Sequence, residues 1–124
     1  MPINHQLFIA QLKAIRKIAE KESCIFVGRC ADYVLKDNAD FLSVFIYAPT
    51  DKRIERIMNL HNVSEKEAKS RISRADKQRK NYYNFYTGQG WGEMSNYHLS
   101  IDSSIAGVDG TAEIIAEMYK KMSE

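Results

Sequence analysis

Apolar positions follow two periods along the chain, and together they predict alternating helices and strands. Over residues 4–22, Phe8, Leu12, Ile15 and Ala19 recur every three or four positions, with Gln11, Lys13, Arg16, Lys17 and Lys21 mostly outside. That is one face of a 3.6-residue helix. Residues 23–27 (SCIFV) and 42–48 (LSVFIYA) are instead short continuous apolar runs, the pattern of strands buried on both faces in a parallel sheet. The second run stops at Pro49, which cannot donate to a ladder. Residues 97–101 (YHLSI) make a third strand, with Asp102-Ser103-Ser104 at its carboxyl end. Residues 31–36 predict a short helix, closed by a polar loop with Asp37, Asn38 and Asp40. Thr50 is expected to cap a helix of about ten residues, with Asp51 in its first turn and Ile54, Ile57 and Met58 turned inward. The last helix covers 108–122, with Val108, Ala112, Ile115, Met118 or Tyr119, and Met122 on one face. Helices alternating with three short strands call for right-handed crossovers and a parallel sheet. The predicted fold is therefore a three-layer α/β domain with helices on both sides of the sheet.

The segment 64–92 carries the strongest chemical signal. Ser64 and Glu67 form a Ser-x-x-Glu capping box, with Val63 before it as a staple. Ala68, Ile72, Ala75, Arg79 and Tyr83 then share one helical face, which puts Arg79 in line with the apolar stripe. An inward guanidinium needs an anionic partner, since breaking a buried ion pair costs on the order of 3–5 kcal/mol. Asp76, three residues back, is one candidate partner and a bound phosphate is the other. Arg71 and Arg74 lie at the edge of the same face, placed to fork a phosphate bidentately. From Ser64 to Lys80 the chain holds seven Lys/Arg against three acids, while the other 107 residues hold 11 against 13. The total of +2 thus hides a local basic element on a mildly acidic body, a field that faces an anion. After Tyr86, Gly88, Gly90 and Gly92 break the chain into a loop around Trp91, the only tryptophan.

Composition narrows the class further. A chain of 124 residues with 44% hydrophobic residues is expected to fold as one domain rather than stay disordered. No apolar run approaches the roughly 18–20 residues of a membrane span, and Met1 opens no signal-peptide pattern. Two cysteines, Cys24 and Cys30, make a disulfide framework unexpected and a cytoplasmic location the default. His5, His61 and His98 show no ligand spacing, so no protein-built metal site is predicted. Gly28-Arg29 follows the first predicted strand at once. Ligands of open α/β sheets sit beyond strand carboxyl ends, so a glycine that admits close backbone approach and an adjacent arginine suit such a site.

Four stretches, CIFVGRCADYVL, VFIYAP, SEKEAKSRISRADKQRKNYYNFYTGQGWG and NYHLSIDSS, resemble the cytidylate kinase-like family of nucleoside monophosphate kinases, within the P-loop NTPase superfamily. The resemblance spans most of the chain. It implies that Gly28 and Arg29, with Asp32 nearby, contact the acceptor nucleotide. It implies that Arg71, Arg74 and Arg79 clamp the transferring phosphoryl group as lid arginines, over a lid-like segment at about 64–92. Asp102-Ser103-Ser104 resembles the segment near the donor base, which gives Ser103 and Ser104 a cofactor-side role. ATP and Mg²⁺ are the cofactors the family implies, although nothing else in this chain supports them. Cytidylate kinases have Asp directly after Gly-Arg; Cys30 stands there here.

A second departure weighs more. Phosphoryl transfer needs donor phosphates cradled by backbone N–H groups, a lysine on the β/γ-phosphates and a Ser/Thr on magnesium. The motif G-x-x-x-x-G-K-[ST] supplies these, and this sequence has no match to it. In the family that loop follows a strand near the N-terminus. Family topology places that strand between 23–27 and 42–48, at the middle of the sheet. The expectation is a truncated kinase-like sheet whose open slot is closed by rearrangement, by a homo-oligomeric partner, or by a missing N-terminal half. Expected partners are nucleotides; no membrane is expected, and nucleic acid is disfavoured by the low net charge. Two other functions compete. A nucleotide- or RNA-binding module would use the basic helix with Tyr82, Tyr83, Phe85, Tyr86 and Trp91, and a non-enzymatic scaffold would use none of these groups.

Overall fold

A computed structural model describes residues 5–21, 25–26, 30–35 and 41–122. Helix α1 (His5–Lys21) opens the chain and α2 (Ala31–Val34) is a single turn. Strand β1 (Val44–Tyr47) leads into a pair of helices, α3 (Thr50–His61) and α4 (Glu65–Thr87). A 3₁₀ turn (Met94–Asn96) precedes β2 (Leu99–Asp102), and α5 (Ser103–Met122) closes the described chain. β1 and β2 pair directly and in parallel, Val44 opposite Leu99 and Tyr47 opposite Asp102. A parallel pair cannot be joined by a tight turn, and here α3 and α4 make the crossover.

Most boundaries fall within two residues of the apolar pattern. α1 turns Phe8 and Ile15 into the interior, with Leu12 and Ala19 half-buried beside them. Ser64 caps α4, its Oγ accepting from the Glu67 backbone N–H at 3.1 Å. The other half of the box does not form in this way, because the Glu67 carboxylate receives Arg71 Nε at 3.0 Å. α4 stops at Gly88, whose φ of 69° is the left-handed conformation that favours glycine.

Four expectations need correction. The sheet has two strands among the described residues, not three. Of the run 23–27 only Ile25 and Phe26 are described; neither is in a strand, and Ile25 is 93% exposed. Phe26 instead packs on the cluster of Ile15, Ala31 and Leu35. A short apolar run marks burial without saying whether a ladder or a core contact provides it. At α3, Pro49 takes the N-cap position without any side-chain hydrogen bond, and Thr50 is the first helical residue. The helix hydrogen bonds begin with Arg53 N–H donating to the Pro49 carbonyl at 3.1 Å.

The third correction concerns α5. Gly107, at φ 75°, breaks it one turn after Ser103, so the regular part does start near Val108. Its buried residue, however, is Thr111, while Val108 and Tyr119 are exposed. A narrow sheet offers the helix a narrow seat and leaves much of its apolar surface uncovered. The fourth concerns Arg79, whose side chain is 55% exposed.

The interior consists of two adjoining clusters. Ile15, Ala31 and Leu35 form one, and Phe8, Cys30 and Tyr83 form the other, with Leu12 packed against both. Phe8 stacks on Tyr86 with centroids 3.9 Å apart and meets Tyr82 edge-on at 6.1 Å. Most of the aromatic residues suggested as a base-stacking row are thereby used to fasten α1 to the carboxyl half of α4; Phe85 stays exposed.

Candidate functional site

The stripe Ala68–Ile72–Ala75–Arg79–Tyr83 is buried only at its ends. Ala68 is fully buried in the first half of α4, beside α3, and Tyr83 is buried in the cluster with Phe8 and Cys30. Between them Ile72, Ala75 and Arg79 line a groove of about 320 Å³. Its other wall is α3, which contributes Arg53, Arg56, Ile57 and His61. Arg71 completes the lining. Four guanidiniums thus border one groove with an apolar floor.

Asp76 sits among them. Arg53 donates to both of its oxygens, Nη1 to Oδ2 and Nη2 to Oδ1, each at 2.8 Å. Arg79 Nη2 donates to Oδ1 as well. The Arg53 fork holds the Asp76 carboxyl below the usual carboxylate range, and Arg79 adds to the effect. Both members of the Arg53–Asp76 pair are about two-thirds buried, with side chains 32% and 29% exposed. Of the two candidate partners for Arg79, the neighbouring carboxylate of Asp76 is the one in contact with it. On its other side the Arg79 Cζ lies 5.3 Å from the centre of the Trp91 ring. Arg71 pairs with Glu67, and Arg56 makes no ion pair among the described residues. With Asp76 and Glu67 counted, the arginine set keeps a surplus of two positive charges, enough to draw an anion into a place where guanidinium forks match phosphate oxygens.

The structure gathers Arg71 and Arg79 at this groove but not Arg74. Arg74 lies outside the lining, 3.8 Å from Glu67 and 68% exposed. Gly28 and Arg29 lie outside the described residues. Asp32 belongs elsewhere: it accepts the Tyr83 hydroxyl at 2.7 Å and lines a second cavity of about 230 Å³ with Tyr33, Phe41, Ser43 and Asn96. Ser43 and His98 directly precede β1 and β2, so this cavity sits at the amino ends of the strands; α3 leaves from the carboxyl end of β1. Ser103 and Ser104 are engaged locally. Ser103 Oγ donates to the Tyr47 carbonyl at 3.3 Å, and Ser104 donates through N and Oγ to Asp102 Oδ1 at 2.9 and 2.7 Å.

Sequence reasoning missed Arg53 and Arg56. Their i, i+3 spacing on a helix already expected was the available signal, since such residues are neighbours on one face. Trp91 was noted without a partner. Cys30 is buried with φ 59°. Burial, with Asp32 adding, pushes its thiol up to about 12. Burial also raises Tyr83, and the Asp32 hydrogen bond adds to it. Among the described residues no group of three His, Cys, Asp or Glu is placed to hold a metal ion, and no helix is long and apolar enough to cross a membrane.

The described residues form a mostly helical α/β chain with one parallel strand pair and an arginine-lined groove between α3 and α4. Comparison with known proteins is more definite. The model of the cytidylate kinase-like family matches residues 1–105, and the chain belongs to that family. It is 34% identical over 103 residues to a cytidylate kinase of Pyrococcus furiosus, covering 81% of this chain and 52% of that one. To a cytidylate kinase of Pyrococcus abyssi it is 33% identical over 114 residues, covering 86% and 61%. The chain therefore spans only about half to three-fifths of these relatives. The crystal structure of an uncharacterized protein from Eubacterium ventriosum superposes with a TM-score of 0.88 at 36% identity, over 93% of this chain and 73% of that one.

Magnesium and the donor phosphates of ATP are implied by the family. The described residues do not fit them: the sequence has no G-x-x-x-x-G-K-[ST] loop, and the carboxylate in the groove is already shared by two arginines.

Proposed function

We propose that this chain supplies the phosphate-gripping side of a nucleoside monophosphate kinase, acting on CMP or a related monophosphate. The observation that carries the reading is the α3–α4 groove, where Arg53, Arg56, Arg71 and Arg79 meet in a chain of this family. In the proposed reaction an oxygen of the acceptor monophosphate attacks the γ-phosphorus as the bond to the β–γ bridging oxygen breaks. Arg53 and Arg79 would neutralise the charge spread over the group in flight, and Arg29 would position the acceptor; Asp32, in the separate cavity, has no part in this step. Arg74, exposed and outside the groove, is demoted to an outer guide for incoming anions.

The donor loop has to come from a P-loop-bearing strand that is not in this sequence. Its place in the proposal is the free edge of β1. Among the described residues that edge has no ladder partner, and Ile46 and Tyr47 beside it are exposed. Unpaired strand edges invite another strand. A second chain or a separate segment would complete the three-layer sheet there, in the cytoplasm, where a buried free Cys30 stays reduced. Alone, the 124 residues bind nucleotide or phosphate but do not turn over.

Calorimetric titration of the purified chain with CMP, UMP, AMP and ATP, with and without Mg²⁺, tests this. Monophosphate binding with little preference for ATP supports the reading. No binding of any nucleotide or phosphate would overturn it in favour of a scaffold.

A further inference from the structure

Trp91 is the chain's only tryptophan, and it is held from three directions. Its backbone N–H donates to Asn84 Oδ1 on α4 at 2.8 Å. Its ring meets Phe45 of β1 nearly edge-on, with centroids 5.4 Å apart and planes 80° apart. Next to it Gly92, at φ 82°, lets the backbone lie against the same phenylalanine, where a Cβ would come within 3.4 Å of Phe45 Cζ. The indole is thus fixed by α4, β1 and the glycine loop together, and the face it presents lies under the Arg79 guanidinium, 5.3 Å from Cζ.

Arg79 needs such a support. It stands on the outer side of Asp76, exposed, and shares that carboxylate with Arg53. An anion entering the groove competes with Asp76 for both guanidiniums. Arg53 is about two-thirds buried, forked onto Asp76 of α4, and has little freedom to leave. Arg79, without a second contact, would swing into solvent once Asp76 released it, and a long side chain loses rotamer entropy when it is pinned again. A ring face attracts a guanidinium without consuming its N–H donors.

We infer that Trp91 is a positioning residue for anion capture: its indole keeps Arg79 over the groove, so that Arg53 and Arg79 turn from Asp76 to a phosphate as a pair. This rests on the groove being the phosphate site. The contact leaves the donors of Arg79 available while restricting where they point, which is what a clamp assembled from a surface arginine requires.

Inorganic pyrophosphate, titrated into the full chain, tests both layers separately. The expected result is a change in Trp91 emission that saturates with the heat of binding, because the guanidinium over the ring moves as its partner changes. In Arg79→Gln the emission change should vanish while residual binding to Arg53 persists. Trp91→Leu should bind pyrophosphate about five-fold more weakly, about 1 kcal/mol by the factor-of-ten rule, and Trp91→Phe should stay within about two-fold of the parent. No heat of binding in the parent would refute the groove reading and this inference with it. Binding in the parent with unchanged emission, or an equal emission change in Arg79→Gln, would overturn the inference alone. The emission comparison of parent and Arg79→Gln decides the matter even if Trp91→Leu fails to fold.

Discussion

Asp76 should oppose anion binding while it supports the fold, and Asp76→Asn separates the two effects. Its carboxylate takes the Arg53 fork at 2.8 Å on both oxygens and also receives Arg79. Two unit charges about 4 Å apart attract by roughly 4 kcal/mol at an effective dielectric near 20. With about a third of each side chain exposed, desolvation and solvent screening remove most of that. A net loss of about 1–2 kcal/mol is expected on substitution. For a domain of this size that lowers the melting temperature by roughly 3–10 °C. The groove meanwhile gains one positive charge, and Arg53 and Arg79 lose their competitor. A unit charge roughly 6 Å from a bound phosphate, at an effective dielectric of about 40, contributes about 1.4 kcal/mol, or up to ten-fold in affinity. The assay pairs thermal melting with calorimetric titration of pyrophosphate at low salt, where such effects are least screened. A less stable variant that binds about three- to ten-fold tighter fits the structure. A variant that binds more weakly would refute the competition argument and show that the carboxylate chiefly aligns the two arginines. The pH dependence has a fixed sign: the Asp76 carboxyl is lowered in the fold, so its contribution is present above about 4 and is lost as pH falls through its folded value.

Four further predictions follow from the same geometry. Arg53→Ala should weaken pyrophosphate binding about ten-fold, whereas Arg74→Ala, exposed and off the groove, should change it less than about two-fold; equal losses in calorimetry would contradict the assignment. With Cys24→Ser as background, Cys30 should react with a disulfide reagent at pH 8 about a thousand-fold more slowly in the folded chain than in denaturant, since its thiol is raised from 9.0 to about 12. Because Cys30, Tyr83 and Tyr97 are all raised in the fold, stability should be full below about pH 9 and fall as pH rises beyond it, read as denaturant midpoints across pH 8–11. Gly92→Ala should lower stability by about 1–2 kcal/mol, because φ is 82°, in the left-handed region that an L side chain disfavours; a melting temperature equal to the parent's would show the loop to be loosely held.

The sequence by itself determined what local chemistry can decide. A stripe at helical spacing set α1, a capping serine and a following Glu N–H set the start of α4, and Gly88 set its end, because each of these rules acts within about four residues. The concentration of positive charge along α4 and the resemblance to the cytidylate kinase-like family were legible on the same terms. Which way Arg79 points was not legible, since the helical wheel gives a direction but not what lies there. Ala68 is buried and the cluster of Phe8 and Cys30 covers Tyr83, while among the described residues the turn between stays open, so a nominally inward arginine stays exposed and finds Asp76 and Trp91. Nor could spacing reveal that Arg53, 23 residues before Asp76, would close the other side of the groove, or that β1 and β2, 55 residues apart in register, would pair directly. Those contacts depend on how whole helices and strands pack, and packing is set by the summed fit of many side chains rather than by any one residue and its neighbours.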